Sequence, residues 1–209
     1  MIITWHGLFT LKIASKDTTI LIDPYAPDQA ASPIKSKADI VALTNPNNPE
    51  LSYTRSVPGD PHIINTPGEY AISDATLYAQ PWRNQDGVEC SLHRWHIEDT
   101  VLVHLGALNR TLTDKELQEL EKTNIDILFL PIGGHGTLDT QQALELLNVI
   151  EPNMVIPINF ASNKSKANRD TVETFAKEMG VNPKETAAKL NITGRKIDRE
   201  NLTTVILEP

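Results

Sequence analysis

Cysteine is almost absent from this chain of 209 residues, in which Cys90 is the only one. An intrachain disulfide is therefore excluded, which suits a reducing compartment. No window reaches the roughly 18 apolar residues that a membrane-spanning helix needs, and the first residues carry no basic leader. The sequence thus predicts a cytoplasmic protein without a membrane partner.

An excess of positive charge is also missing, because 27 acidic residues outnumber 19 basic ones and leave a formal net charge of −8. Nucleic acids and anionic membranes attract basic surfaces, so no nucleic-acid partner is expected. The length and the ordinary hydrophobic content predict that residues 1–209 form a single domain with its own core.

Paired histidines are absent as well. The six histidines form no His-x-His or His-x-x-x-His pair. His93 and His96 lie three apart in a predicted strand, which places them on opposite faces. Zinc needs three or four nitrogen, thiolate or carboxylate ligands that converge on one point. The residues by themselves therefore predict no zinc site, and no cofactor is expected.

Strand patterns fill the first half of the chain. Residues 11–14 and 18–22 are apolar, β-branched runs around a short polar turn, which is typical of a hairpin. Glu98-Asp99 has the spacing of a two-residue hairpin turn. Residues 65–70 are interpreted as a turn because they contain Pro67-Gly68. The other predicted strands are 39–43, 62–64, 92–97 and 100–105.

The second half alternates between strand and helix patterns. Thr113 and Glu116 form a capping-box motif that predicts a helix to about residue 122. Further helices are predicted from 137–139 to 150 and over 170–179, with Gly180 as a C-terminal cap. Strands are predicted at 127–131, 154–158 and 203–207, and a mobile loop at 163–168. This order predicts a mixed sheet covered by helices.

Segments along the whole chain also match a known pattern, namely residues 3–7, 20–24, 66–70, 103–106, 112–114, 127–134, 137–139, 150–157 and 203–209. In this order and spacing they resemble the metallo-β-lactamase superfamily, in a small prokaryotic branch similar to ascorbate-phosphate lactonases. The resemblance implies an α/β fold, a four-layer αββα sandwich of two mixed sheets between helices. It also implies a metal site at one edge between the sheets.

The family's metal-binding motifs are altered in this chain. The His-x-His-x-Asp-His motif should follow the strand that ends near Thr44, and its four ligand positions hold Asn45, Asn47, Pro49 and Glu50. The family's remaining ligand positions fall at Leu8, Ala107, Asn159 and, by a looser alignment, Asn84. Two family residues are retained, Asp23, which supports the site, and His104. The resemblance therefore implies a hydrolase fold that has lost its metal site.

We interpret the chain as a pseudoenzyme that binds a small molecule or serves as a scaffold. In this interpretation Asn45, Asn47, Asn84 and Asn159 line a pocket for a small polar ligand. The competing explanation is relaxed drift, since asparagine is close in size to histidine and satisfies the same neighbours.

Two other functions stay open. The first is an atypical hydrolase of lactones or phosphoesters that uses a metal other than zinc or metal-free acid–base chemistry. Its candidate catalytic residues are Asp23, His104 and Glu50. The second is a structural subunit in a homo-oligomer or in a complex with an active paralogue.

Overall fold

Two large mixed sheets contain most of the regular structure. The computed structural model describes residues 1–29, 34–162, 166, 168–192 and 197–209. Within these ranges the chain forms fifteen strands and three α-helices. The loop predicted at 163–168 lies mainly outside the described residues.

The first sheet is built largely from the N-terminal part of the chain, in the order β13-β1-β2-β3-β4-β5. β1, β2 and β3 are antiparallel, whereas β3, β4 and β5 run parallel. Alternate residues of β1, such as Ile3 and Trp5, are buried because successive side chains point to opposite faces. Its strands are β1 Ile2–Gly7, β2 Thr10–Ala14, β3 Thr19–Ile22, β4 Ile40–Ala42, β5 His62–Ile64 and β13 Leu190–Asn191.

The second sheet has the order β14-β11-β10-β9-β8-β7-β6. Its strands are β6 Gly68–Ile72, β7 Ala75–Arg83, β8 Glu89–Ile97, β9 Thr100–His104, β10 Ile127–Pro131, β11 Met154–Ile158 and β14 Thr203–Thr204. The strands from β6 to β9 form antiparallel hairpins, and β9, β10, β11 and β14 are parallel. β12 Thr186–Ala187 pairs separately with β15 Ile206–Leu207.

The three helices are α1 Asp114–Leu120, α2 Thr140–Ile150 and α3 Glu173–Glu178. Thr113 and Asp139 form complete capping boxes for α1 and α2. Gly180, with φ +67°, ends α3 in the predicted left-handed conformation. α3 begins three residues later than predicted, since Asp170 bonds to other loops. None of these helices, within the described ranges, is long and apolar enough to cross a membrane.

The two sheets share one core and are joined by backbone hydrogen bonds at one edge. A continuous apolar cluster contains side chains from both sheets. Ser91 N in β8 donates to Thr44 O after β4 (2.7 Å), and Asn159 N after β11 donates to Leu8 O after β1 (3.0 Å). The fold agrees with the predicted α/β sandwich of two mixed sheets, and this edge is where the candidate residues meet.

Candidate functional site at the edge between the sheets

Asp23 anchors the first part of the site. It follows β3 directly, is 1% exposed and has φ +45°, a left-handed conformation that aspartate tolerates better than most residues. Its Oδ1 accepts a hydrogen bond from Thr44 N (2.7 Å) and its Oδ2 one from Thr44 Oγ1 (2.5 Å). Burial raises the pKa of Asp23 to about 7, against the lowering effect of the two Thr44 bonds. The carboxyl group therefore fixes the start of the loop over residues 44–50.

His104 is held from both sides of its ring. It is the last residue of β9 and is fully buried. Its Nε2 lies 2.9 Å from Phe9 O, and its Nδ1 accepts a hydrogen bond from Gly106 N (2.9 Å). These two contacts assign the proton to Nε2. Burial lowers the pKa of His104 to about 4, so the ring is neutral and braces two loops.

His93 lies opposite His104 in the register of β8 and β9 and is also fully buried. Its Nε2 lies 3.0 Å from Ser91 Oγ. Burial, followed by the neighbouring His104, lowers the pKa of His93 to about 3, although a backbone hydrogen bond at Leu43 opposes this. His96 points to the other face and is partly exposed, as the strand alternation predicts. We call Asp23, Thr44, His93 and His104 the site floor.

The loop above the floor carries Asn45, Asn47, Pro49 and Glu50, which we call the site rim. Asn47, Pro49 and Glu50 are exposed, and Asn45 is partly buried. Asn45 Oδ1 is enclosed and has no hydrogen-bond partner in the described part of the chain. Glu50 is positioned through its backbone, because Ala26 N donates to Glu50 O (2.8 Å). The rim thus offers mostly neutral amides.

A small cavity of about 190 Å³ lies beside the rim. Its lining residues are Pro46, Asn47, Asn65, Thr66, Pro67, Glu89, Cys90 and Ser91. Cys90 is buried, and burial together with the charges of Asp23 and Glu89 raises the pKa of its thiol to about 11. The cavity is therefore lined by amide and hydroxyl groups, two prolines, the carboxylate of Glu89 and an unreactive thiol.

Asn159, the last of the predicted pocket residues along the chain, is fully buried at the end of β11 with φ +59°. Its Nδ2 donates to Thr137 Oγ1 (3.0 Å), and its Oδ1 accepts from Arg169 Nε (2.8 Å). Leu8, whose carbonyl binds Asn159 N, is buried with φ +49°. The backbone at this end of the site therefore keeps two left-handed non-glycine residues in contact.

Asn84 lies in the turn between β7 and β8. Its Oδ1 accepts hydrogen bonds from Asp86 N (3.0 Å) and Val88 N (2.8 Å). Within the described residues, no hydrogen bond joins it to Asn45, Asn47 or Asn159. The structure thus uses this amide inside its own turn, a common role for asparagine.

The donor groups at this edge do not fit a zinc ion. The described ranges contain no group of three or more His, Cys, Asp or Glu side chains that could hold a metal ion. The nitrogens of His104 and the oxygens of Asp23 are already engaged by Phe9, Gly106 and Thr44. Amide oxygens at the rim lack the charge and softness that zinc ligands supply.

Arg169 is a site residue that the sequence did not indicate. It is partly buried, and its Nη1 donates to Asn168 O (2.7 Å) while its Nε binds Asn159. Burial lowers the pKa of Arg169, and the carboxylate of Glu50 raises it. No local motif surrounds Arg169 in the sequence. Only the folded chain brings its guanidinium group to Asn159, one of the positions of the family's ligands.

Comparisons with known proteins agree with this architecture. Residues 2–159 match the β-lactamase superfamily domain. A Pyrococcus abyssi protein is 25% identical over 183 residues, covering 78% of this chain and 84% of its own. A protein named as a metal-dependent hydrolase, from Ligilactobacillus salivarius, is 24% identical over 220 residues, covering 90% and 96%.

A solved structure from Thermotoga maritima, titled as a Zn-dependent hydrolase of the metallo-β-lactamase superfamily, superposes with a TM-score of 0.78. It is 24% identical and covers 99% of both chains. At this identity the structural likeness establishes the fold, and an activity does not follow from the fold.

Proposed function

This chain belongs to the β-lactamase superfamily, and we propose that it is a non-catalytic member that has lost its zinc ligands and binds a small polar molecule in the former active-site cleft. The observation that carries the proposal is the type of side chain found at the positions of the family's metal ligands. Those positions hold Leu8, Asn45, Asn47, Pro49, Glu50, Ala107 and Asn159.

The magnitude of zinc binding supports this proposal. Structural zinc sites are worth about 10–16 kcal/mol, or roughly 2.5–4 kcal/mol for each of four ligands. Glu50 is the single ionisable side chain among the substituted positions, and it is exposed. One carboxylate therefore supplies only a fraction of the required free energy. The side chains of Asp23 and His104 are hydrogen-bonded within the protein itself, which supports a site that folds without a metal.

The cavity beside Asn47 supports binding of a small solute. Its volume of about 190 Å³ is below the roughly 300–1,000 Å³ of typical ligand pockets. The amides of Asn47 and Asn65 in its lining can donate and accept hydrogen bonds. Asn45 is not among the lining residues, but its enclosed Oδ1 is an acceptor without a partner in the described ranges. A compact polar molecule fits these properties better than a large substrate.

Elemental analysis tests the loss of the zinc site. Protein purified from cells grown with added zinc should contain far less than one zinc per chain and should not compete with a chromophoric chelator. The matched control restores family ligands at six of the seven substituted positions by N45H, N47H, P49D, E50H, A107D and N159H. Stoichiometric zinc in the unaltered chain would overturn the proposal.

One observation favours an atypical hydrolase as a second candidate. A carboxyl group with a pKa of about 7, as in Asp23, is suited to acid–base catalysis near neutral pH. This candidate predicts turnover of a lactone or phosphoester probe that Asp23→Asn or His104→Ala abolishes. Against it, Thr44 occupies both oxygens of Asp23. Turnover that persists in both variants would eliminate this second candidate.

A further inference from the structure

Arg169 is held in place by the residue that follows it. Asp170 N donates to Gly133 O (2.9 Å), and Ala161 N donates to Asp170 O (2.8 Å). The side chain of Asp170 lies 3.4 Å from His135 Nε2. The backbone beside Arg169 is therefore tied to the loop after β10 on one side and to the loop after β11 on the other.

The backbone carbonyl of Asn159 requires a glycine at position 133. A Cβ atom there would lie 1.8 Å from Asn159 O and 2.9 Å from Arg169 Cδ. Since Cβ atoms do not approach other heavy atoms so closely, Gly133 allows both the end of β11 and the arginine stem to pack at this point. Gly133 thus allows the close approach of the loop after β10 to Asn159, the residue that accepts the hydrogen bond from Arg169 Nε.

The guanidinium group keeps its positive charge without a close counter-ion. Its bonds through Nε and Nη1 go to the neutral oxygens of Asn159 and Asn168. None of the ion pairs within 4.0 Å in the described residues includes Arg169, and the Asp170 carboxylate faces His135 instead. The carboxylate of Glu50 acts on this charge only from beyond the distance of an ion pair. An oxyanion in direct contact would compensate the partly buried guanidinium group more strongly than this exposed carboxylate does.

We propose that Arg169 makes the former metal cleft a binding site for an oxyanion, with the guanidinium group in the place of the metal's positive charge. Guanidinium has five N–H donors in a planar fork that matches carboxylate and phosphate oxygens. Two of its nitrogens are assigned above to Asn159 and Asn168. The inference rests on the proposed function, because it requires a cleft without a bound cation.

Titration of isotope-labelled protein with inorganic phosphate, and separately with acetate, tests this inference. In a buffer without either anion, the backbone amide signals of Asn159 and Asp170 should shift and saturate with at least one probe. Arg169→Gln should weaken this binding about tenfold or more, since a charge-assisted hydrogen bond is lost. Arg199→Gln, which removes a different arginine beside Asp126, should leave it unchanged.

Asn159→Asp gives an independent test if Arg169→Gln fails to fold. A carboxylate at the Oδ1 position, 2.8 Å from Arg169 Nε, would neutralise the arginine and weaken anion binding to a similar degree. The inference is wrong if neither probe saturates, or if a folded variant binds as the unaltered chain does. If the protein contains no zinc and binds no oxyanion, this inference alone is wrong. If it contains stoichiometric zinc, the proposed function is wrong.

Discussion

The site floor and the site rim meet at Thr44 and Asn45 but differ in the contacts that hold their side chains. In the floor, Asp23 and His104 are buried, and each bonds through both polar atoms of its side chain. At the rim, Asn47 and Glu50 are exposed. The comparison indicates that the floor stabilises the fold, so side chains at the rim can change with little effect on stability.

The largest expected effect comes from Asp23 in the floor. Asp23→Asn keeps an oxygen that accepts the hydrogen bond from Thr44 N, and asparagine tolerates the left-handed backbone. The substitution removes the ionisable carboxyl group. The pKa of Asp23 is raised by burial from 3.8 to about 7, so the unfolded chain ionises at lower pH than the folded one. The stability of the unaltered chain relative to this variant should therefore be highest below pH 3.8 and fall until about pH 7, by about 4 kcal/mol.

Urea unfolding of both chains over this pH range measures the difference. Asp17→Asn, at an exposed position, is the control. Its free energy of unfolding should depend on pH in the same way as that of the unaltered chain. Parallel stability curves for Asp23→Asn and the unaltered chain would show that the floor carboxyl ionises without penalty.

The next largest effect is expected at His104. His104→Ala leaves Phe9 O and Gly106 N without their partner and opens a cavity, so the free energy of unfolding should fall by about 3 kcal/mol. His62→Ala, at an exposed position of β5, should change it by less than about 0.5 kcal/mol. Denaturant unfolding at neutral pH measures both values. If the two variants lose the same free energy of unfolding, His104 stabilises the fold no more than an exposed histidine does.

The smallest effect is expected at the rim. Asn47→Ala should change the free energy of unfolding by less than about 0.5 kcal/mol, because the side chain is exposed. Thermal unfolding at neutral pH measures this value. A loss of more than about 1 kcal/mol would mean that the rim supports the fold as the floor does.

Elements with strong local patterns could be predicted from the sequence. β10 and β11 have the predicted bounds because both are continuous apolar runs whose residues are all buried. The capping box at Thr113 is confirmed, and the turn at Glu98 and Asp99 has positive φ at both residues, as two-residue hairpins require. These features depend on neighbours in sequence alone.

Elements that depend on distant partners cannot be predicted from local patterns. The Pro67-Gly68 pair predicts a turn over residues 65–70, but residues 68–70 begin β6, which pairs with β7. The strand predicted at 203–207 is divided, since β14 pairs with β11 and β15 with β12. In the site, the position of Asp23 followed from the resemblance, whereas Arg169 reaches Asn159 only through bonds made by Gly133 and Ala161.

The hydrogen bond from Ser91 N to Thr44 O crosses between the two sheets. Its amide proton can exchange with solvent only when the sheets separate at that edge or the whole domain unfolds. Deuterium uptake at Ser91 therefore reports directly how often the cleft opens, and a molecule that bridges both walls would slow this uptake without touching Ser91.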